Sequence, residues 1–116
     1  MDWMGLCKAI VALDSNIQAA VVVSGGEMKA RHVRQGVPVP PAADLEKLFL
    51  RAELFASMAG ESDRLFGRTR CVMTSHEVLD TFIIPVASIG VLIVPIVRPY
   101  DPERLLGRIS ALLENA

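Results

Sequence analysis

"IQAAVVVSGGEMKARHV" (Ile17–Val33) runs small and β-branched residues into a Gly-Gly pair, and the residues after the glycines decide the class of fold. A phosphate-binding loop requires a strand, a turn whose backbone N–H groups converge on the anion, and a helix that starts at once. From Glu27 the chain instead reads Met28, Lys29, Ala30, Arg31, His32, Val33, mostly an apolar/polar alternation. That is the period of a half-buried strand. Neither G-x-x-x-x-G-K-[ST] nor G-x-G-x-x-G occurs anywhere in the chain. Ser24-Gly25-Gly26-Glu27 is therefore a hairpin turn, in which glycine supplies the positive φ at little steric cost.

Working outward from the hairpin, Asp2 caps a helix over Trp3 to Leu13, with Trp3, Leu6, Cys7, Ile10 and Leu13 on one stripe. After the hairpin, "GVPVPPAADLEK" stays extended through Pro38 and Pro40, and Pro41 or Asp44 begins a second helix. This helix covers Ala42 to Ala59 and continues to Phe66 if it passes Gly60; Gly67 suits its end. It has two apolar faces. Leu45, Leu48, Phe49, Ala52, Phe55, Ala56 and Ala59 form one broad stripe; Leu50, Leu54 and Met58 form another opposite, joined by Leu65 if the helix continues and bordered by Lys47, Ser57 and Glu61. A helix lying on a monomer's sheet needs one such face, and leaving the other in water costs about 25 cal/mol per Å². The second stripe therefore calls for lipid, another part of the chain, or another subunit.

"RTRCVMTS", "VLDTFIIPVA" and "GVLIVPIV" read as three strands, with turns near His76 and near Ser88 to Gly90. "YDPERLLGRISALL" closes the order as a helix capped by Asp101, with Pro102 at its first position and Leu105, Leu106, Ile109, Leu112 and Leu113 buried. The expected fold class is α/β (α+β): one antiparallel five-stranded sheet flanked by helices, in the order α-β-β-α-β-β-β-α, as a single domain over residues 1–116.

With 12 basic against 13 acidic residues and a formal charge of −1, the chain has no electrostatic basis for general nucleic-acid affinity. Lys29, Arg31 and Arg34, and Arg64, Arg68 and Arg70, are expected on solvated faces. Cys7 and Cys71 form no C-x-x-C pattern, and no secretory signal precedes them, so a reducing cytoplasm is the expected setting. Thr81 to Val97 carries no charge over 17 residues, but Pro85, Ser88, Gly90 and Pro95 divide it into two buried strands rather than a transmembrane helix.

The cheapest enzyme would pair Cys7 or Cys71 with His32 or His76, since a thiolate needs a nearby base or cation. His32 is in phase with Met28 and Ala30 and expected to face inward, His76 falls in a turn, and Cys71 shares the phase of Met73, which suggests a buried strand position. No His or Cys spacing matches a metal site. Asp14, Asp44, Asp63, Asp80 and Asp101 fall mostly at element ends, where capping is their usual role. No catalytic residue, cofactor or metal is expected.

The opening hairpin, the central "DLEKLFLRAELFASMAGESDRLFG" and the closing "GVLIVPIVRPYDPERLLGRISALL" together resemble the Roadblock / dynein-light-chain family, over about Trp3 to Leu113. A looser resemblance links the "ALDSNI…LFL…LFG" layout to small archaeal proteins. The family resemblance implies a profilin-like fold with strand order two-one-five-four-three. It also implies a homodimer whose central helices pack antiparallel and whose third strands pair. Leu50, Leu54, Met58, Lys47, Ser57 and Glu61, with Arg70 and Val72 of the third strand, would form that interface. It further implies a non-catalytic scaffold, with a small Ras-like GTPase as a possible partner class. The alternative is a profilin-like small-ligand sensor, which requires a cavity of several hundred Å³ with His32 and Thr81 as its polar groups. Pro95 departs from the family pattern: the last strand's ladder is expected to end at Val94 or to bulge there, leaving the pairing of Ile96 and Val97 open.

Overall fold

A computed structural model describes residues 2–115. Along the chain lie α1 (Trp3–Val11), β1 (Ala19–Ser24), β2 (Glu27–Val33), α2 (Ala42–Gly60), α3 (Asp63–Phe66), β3 (Val72–Ser75), β4 (Asp80–Val86), β5 (Gly90–Ile96) and α4 (Pro102–Glu114). The five strands form one sheet in the order β2-β1-β5-β4-β3, each neighbouring pair antiparallel. The expected fold class and strand order are those observed.

Strand alternation divides the apolar residues between two layers. On one face Ala20, Val22, Phe82, Ile84, Leu92 and Val94 pack against Leu6 and Ile10 of α1 and Leu105 and Ile109 of α4. On the other, Val23, Ile83 and Val91 meet Phe49 and Ala52 of α2. Ile10, Leu92 and Ile109 are completely buried, each stabilising the first layer by about 1.5–3 kcal/mol. Asp2 caps α1 through its side chain to Gly5 N–H (2.9 Å), and Asp101 caps α4 through Arg104 N–H (3.2 Å).

The hairpin forms as expected, with Gly25 and Gly26 at φ +59° and +79°. Beyond the first two pairs of the hairpin the pattern breaks. Val23 pairs with Met28 but Val22 pairs with Ala30, so Lys29 is an extra residue in β2. A bulge of this kind inverts the side-chain alternation: Met28 is exposed, Ala30 buried and His32 half-buried. Met28 therefore leaves the inward phase expected for all three, while Ala30 and His32, opposite Val22 and Ala20, still share it.

Pro95 interrupts nothing on the β4 side, where pairing continues through Thr81↔Pro95 and Asp80↔Ile96, and Ile17 bridges Ile96. The carbonyl of Pro95 accepts from Gln18 N–H at 2.9 Å, so the proline nitrogen also points toward β1. There the regular ladder covers only Val21 to Val23 opposite Ile93 to Val91. The missing N–H thus faces the one stretch of β5 without a regular partner. α2 ends at Gly60 rather than running to Phe66, and α3 is a separate turn closed by Gly67 at φ +88°.

Two charged residues expected in ordinary surface roles hold the fold together. Arg34 is half-buried, not part of a solvated face: its guanidinium donates to the carbonyls of Ile17 (2.7 Å), Val11 (2.6 Å) and Asp14 (2.8 Å), tying the end of α1 to β1 and β2. A cation suits the carbonyl end of a helix. Asp80 is 5% exposed and is more than a terminal cap. It accepts from Ser75 Oγ (2.6 Å), Tyr100 Oη (2.5 Å) and Arg98 Nη1, while Arg98 Nη2 also reaches the carbonyls of His76 (2.9 Å) and Glu77 (2.6 Å). The cluster joins the β3–β4 turn to the segment entering α4.

The Ser75 and Tyr100 hydrogen bonds, with Arg98 beside them, hold the Asp80 carboxyl below its usual range. Burial, then Asp80, push the Tyr100 phenol up. A depressed carboxyl stabilises the fold above its unfolded pKa and loses that contribution as pH falls through the folded value. A raised phenol contributes below its unfolded pKa and loses its share as pH climbs through the folded value. The melting temperature is therefore expected to fall below about pH 4 and again above about pH 10. Asp80→Asn should flatten the acid limb in thermal melts; an unchanged acid limb would contradict the assignment.

Candidate functional site

α2 sits lightly on its sheet. Pro41 keeps the entering chain extended at φ −56°, ψ 151°, Asp44 lies in the first turn, and the helix has 19 residues, of which Phe49 and Ala52 are buried. Leu54 and Met58, at about 100° per residue, project from the side of α2 opposite Ala52. Leu50, Leu54 and Met58 are 61%, 56% and 57% exposed. The outward stripe inferred from periodicity is therefore real and uncovered in a single chain.

Lys47, Ser57 and Glu61 are exposed around this stripe. Arg70 precedes β3 and pairs at the surface with Glu103 of α4 (3.0 Å), while Val72 is half-buried beneath α2. β3 is one edge of the sheet, and an edge presents unpaired backbone groups to any incoming strand. Leu65, on α3, is 70% exposed but lies off the end of α2 rather than continuing its stripe.

The Gly-Gly turn does receive an anion, the chain's own. Gly25 N–H donates to Glu53 Oε2 (3.1 Å) and Gly26 N–H to Glu53 Oε1. Consecutive N–H groups in such a turn make a concavity that suits a carboxylate. Leu50 leans over the same turn, its Cδ2 only 3.1 Å from where a Cβ on Gly26 would stand. The hairpin thus fixes one flank of α2 and orients the outward stripe. Sequence reasoning missed Glu53. Its partner lies 27 positions away at Gly26, a separation no local spacing rule covers.

The opposite flank of α2 is open. Leu48 and Phe55 are 45% and 37% exposed, not packed on the sheet as the first stripe implies. They wall a groove of about 850 Å³ whose floor includes Val21, Ile83 and Ile93. Thr81 lines the groove and His32 does not, so the pair of polar groups required for the small-ligand reading is not brought together. A second, shallower opening of about 330 Å³ lies beyond the end of α2. There Asp63 accepts from Thr69 N–H (3.0 Å) and Oγ1 (2.5 Å).

Cys7 is buried in α1 and its thiol is pushed up to about 11 by that burial. Burial also raises Cys71, which is half-buried, while Met73 is exposed. Among the described residues no hydrogen bond joins either thiol to His32 or His76, and no group of three His, Cys, Asp or Glu could hold a metal ion. Nor is any described helix long and apolar enough to cross a membrane.

No protein-family model and no curated protein sequence matches the chain. Solved structures do. A Roadblock/LC7 domain from Streptomyces avermitilis superposes with a TM-score of 0.76 at 20% identity, covering 99% of this chain and 92% of that one. MglB from Myxococcus xanthus gives 0.73 at 15% identity, covering 96% and 88%. The gliding protein MglB from Thermus thermophilus gives 0.69 at 13% identity, covering 97% and 88%. The chain has the Roadblock/LC7 fold.

Proposed function

We propose that this chain, a single Roadblock-like domain over residues 1–116, is a non-catalytic homodimeric adaptor. Two copies join through Leu50, Leu54 and Met58 of α2 and through β3, with Lys47, Ser57, Glu61, Arg70 and Val72 around the contact. The observation that carries this reading is the exposure of all three stripe residues on a helix whose hairpin flank is already fixed. A stripe of that size at the surface marks an interaction site, and the bordering Lys47, Ser57 and Glu61 supply the polar rim that such an interface carries. The open edge of β3 offers a second, backbone-mediated join.

One solved neighbour is described as MglB with a tetrameric arrangement, so a protein with this fold is known in an assembly. The proposed role is to present a joint surface to a further protein, with a small Ras-like GTPase the partner class that the family resemblance suggests. Light scattering of the purified chain tests the first step: the mass of two chains is expected, and the mass of one would contradict it.

A further inference from the structure

We propose that the groove beside α2 binds a long-chain fatty acid as its carboxylate anion, with the head on Arg31 and Arg51 and the alkyl chain laid across the sheet beside Leu48 and Phe55. The floor of the groove is two cross-strand rows. In the first, Arg31, Val21, Ile93 and Ile83 stand directly opposite one another from β2 to β4. In the second, Pro95, Thr81 and Thr74 do the same from β5 to the β3 edge. The groove therefore crosses all five strands, a span of about 19 Å. A volume of about 850 Å³ over that span leaves a cross-section of about 45 Å². A helix, about 10 Å across with its side chains, does not fit inside so narrow a channel. An extended alkyl chain does.

The lining is mostly aliphatic and aromatic and contains no Asp or Glu; its permanent charges are Arg31 and Arg51, while His76 lies toward the β3 side. Arg31 begins the first row on β2, and Arg51 follows Leu50, whose side chain leans over the turn of the same hairpin. Both guanidinium groups thus belong to the hairpin side of the groove. Neither makes an ion pair among the described residues. They supply the polar groups that His32 does not. A channel that is cationic on one side and apolar for the rest of its length matches a ligand with one anionic head and one unbranched tail. A cationic head would leave both arginines unpaired and repelled. The groove is built by one protomer, so one ligand per chain is expected whether the particle holds one chain or two, and this inference stands apart from the homodimer reading.

Isothermal titration calorimetry with laurate, octanoate and dodecyltrimethylammonium, each below its micelle concentration, tests it on the unaltered chain. Laurate is expected to bind once per chain, at least about tenfold more tightly than dodecyltrimethylammonium, whose tail has the same length but whose head has the opposite charge. It is also expected to exceed octanoate by at least about tenfold, since each methylene removed from water is worth about fourfold in affinity. Arg31 and Arg51 are both exposed, so the double variant Arg31→Gln/Arg51→Gln should fold, as checked by circular dichroism, and lose the preference for laurate over the cation. If that variant does not fold, the head-group and chain-length comparisons on the unaltered chain decide. No laurate binding up to about 1 mM, equal binding of anion and cation, or many laurates per chain overturns the proposal. A folded double variant that still prefers laurate places the carboxylate elsewhere and overturns it too. So does sedimentation with phosphatidylglycerol vesicles when monomeric laurate does not bind, which assigns the surface to a bilayer.

Discussion

Leu54→Asp is expected to convert a two-chain particle into a single folded chain. Leu54 lies at the middle of the outward stripe, between Leu50 and Met58, and is 56% exposed in one protomer. In the isolated chain the substitution touches nothing buried and costs only the weaker helix propensity of Asp, about 0.5 kcal/mol. In the proposed dimer it places a carboxylate at an apolar contact between Leu50 and Met58. Burying an unpaired charge costs several kcal/mol, so association should weaken by on the order of 100-fold or more. Light scattering gives the mass and circular dichroism reports the fold. A variant that keeps the mass of two chains removes Leu54 from the contact.

Gly90→Ala should damage the fold itself more than any other single methyl addition. Gly90 opens β5 at φ +157°, and a Cβ there would stand 2.0 Å from the Val23 carbonyl oxygen and 3.0 Å from Ser24 Cα. Both neighbours are backbone of β1, so no side chain can swing aside. The strand pair must separate where the hairpin docks on the rest of the sheet. A loss of about 3 kcal/mol is expected, lowering the melting temperature by about 10 °C. A melting point within about 2 °C of the unaltered chain would mean that the β1–β5 junction yields more readily than its geometry implies. Loosening it should also disturb α2, because the Gly25-Gly26 turn that holds Glu53 is the next link in the chain.

The elements governed by local physics were legible in the sequence. Asp2 and Asp101 cap their helices, the Gly-Gly turn has the positive φ its hairpin requires, and the two-faced periodicity of α2 put Leu50, Leu54 and Met58 on an outward stripe. What escaped depends on one-residue irregularities or on partners far apart in the chain. The extra Lys29 reverses the phase of β2, an event alternation cannot register. Arg34 finds carbonyls 17 to 23 positions away, and Asp80 collects Ser75, Arg98 and Tyr100 from two separate segments. Pro95 illustrates the same limit: proline predicts a missing donor, but only the sheet shows that the gap faces the side where β1 has no regular pairing.

The candidate site divides along the same line. Helical winding names residues on a face but not how much of a face the sheet covers. It assigns Leu48 and Phe55 to the sheet-facing stripe, yet the contact is centred on Phe49 and Ala52 and leaves those two on an open flank. The groove is consequently a property of how α2 is placed. Glu53 explains that placement, since two N–H groups of the hairpin draw its carboxylate to the other flank.

The central claim is that two copies join through the outward stripe of α2, and the most direct measurement is the absolute mass of the purified chain by light scattering across a dilution series, from about 100 µM to about 1 µM. The account predicts the mass of two chains at the upper end, holding or dissociating smoothly toward one as the protein is diluted. A mass of one chain at every concentration would contradict it and leave Leu50, Leu54 and Met58 without the partner that their exposure requires.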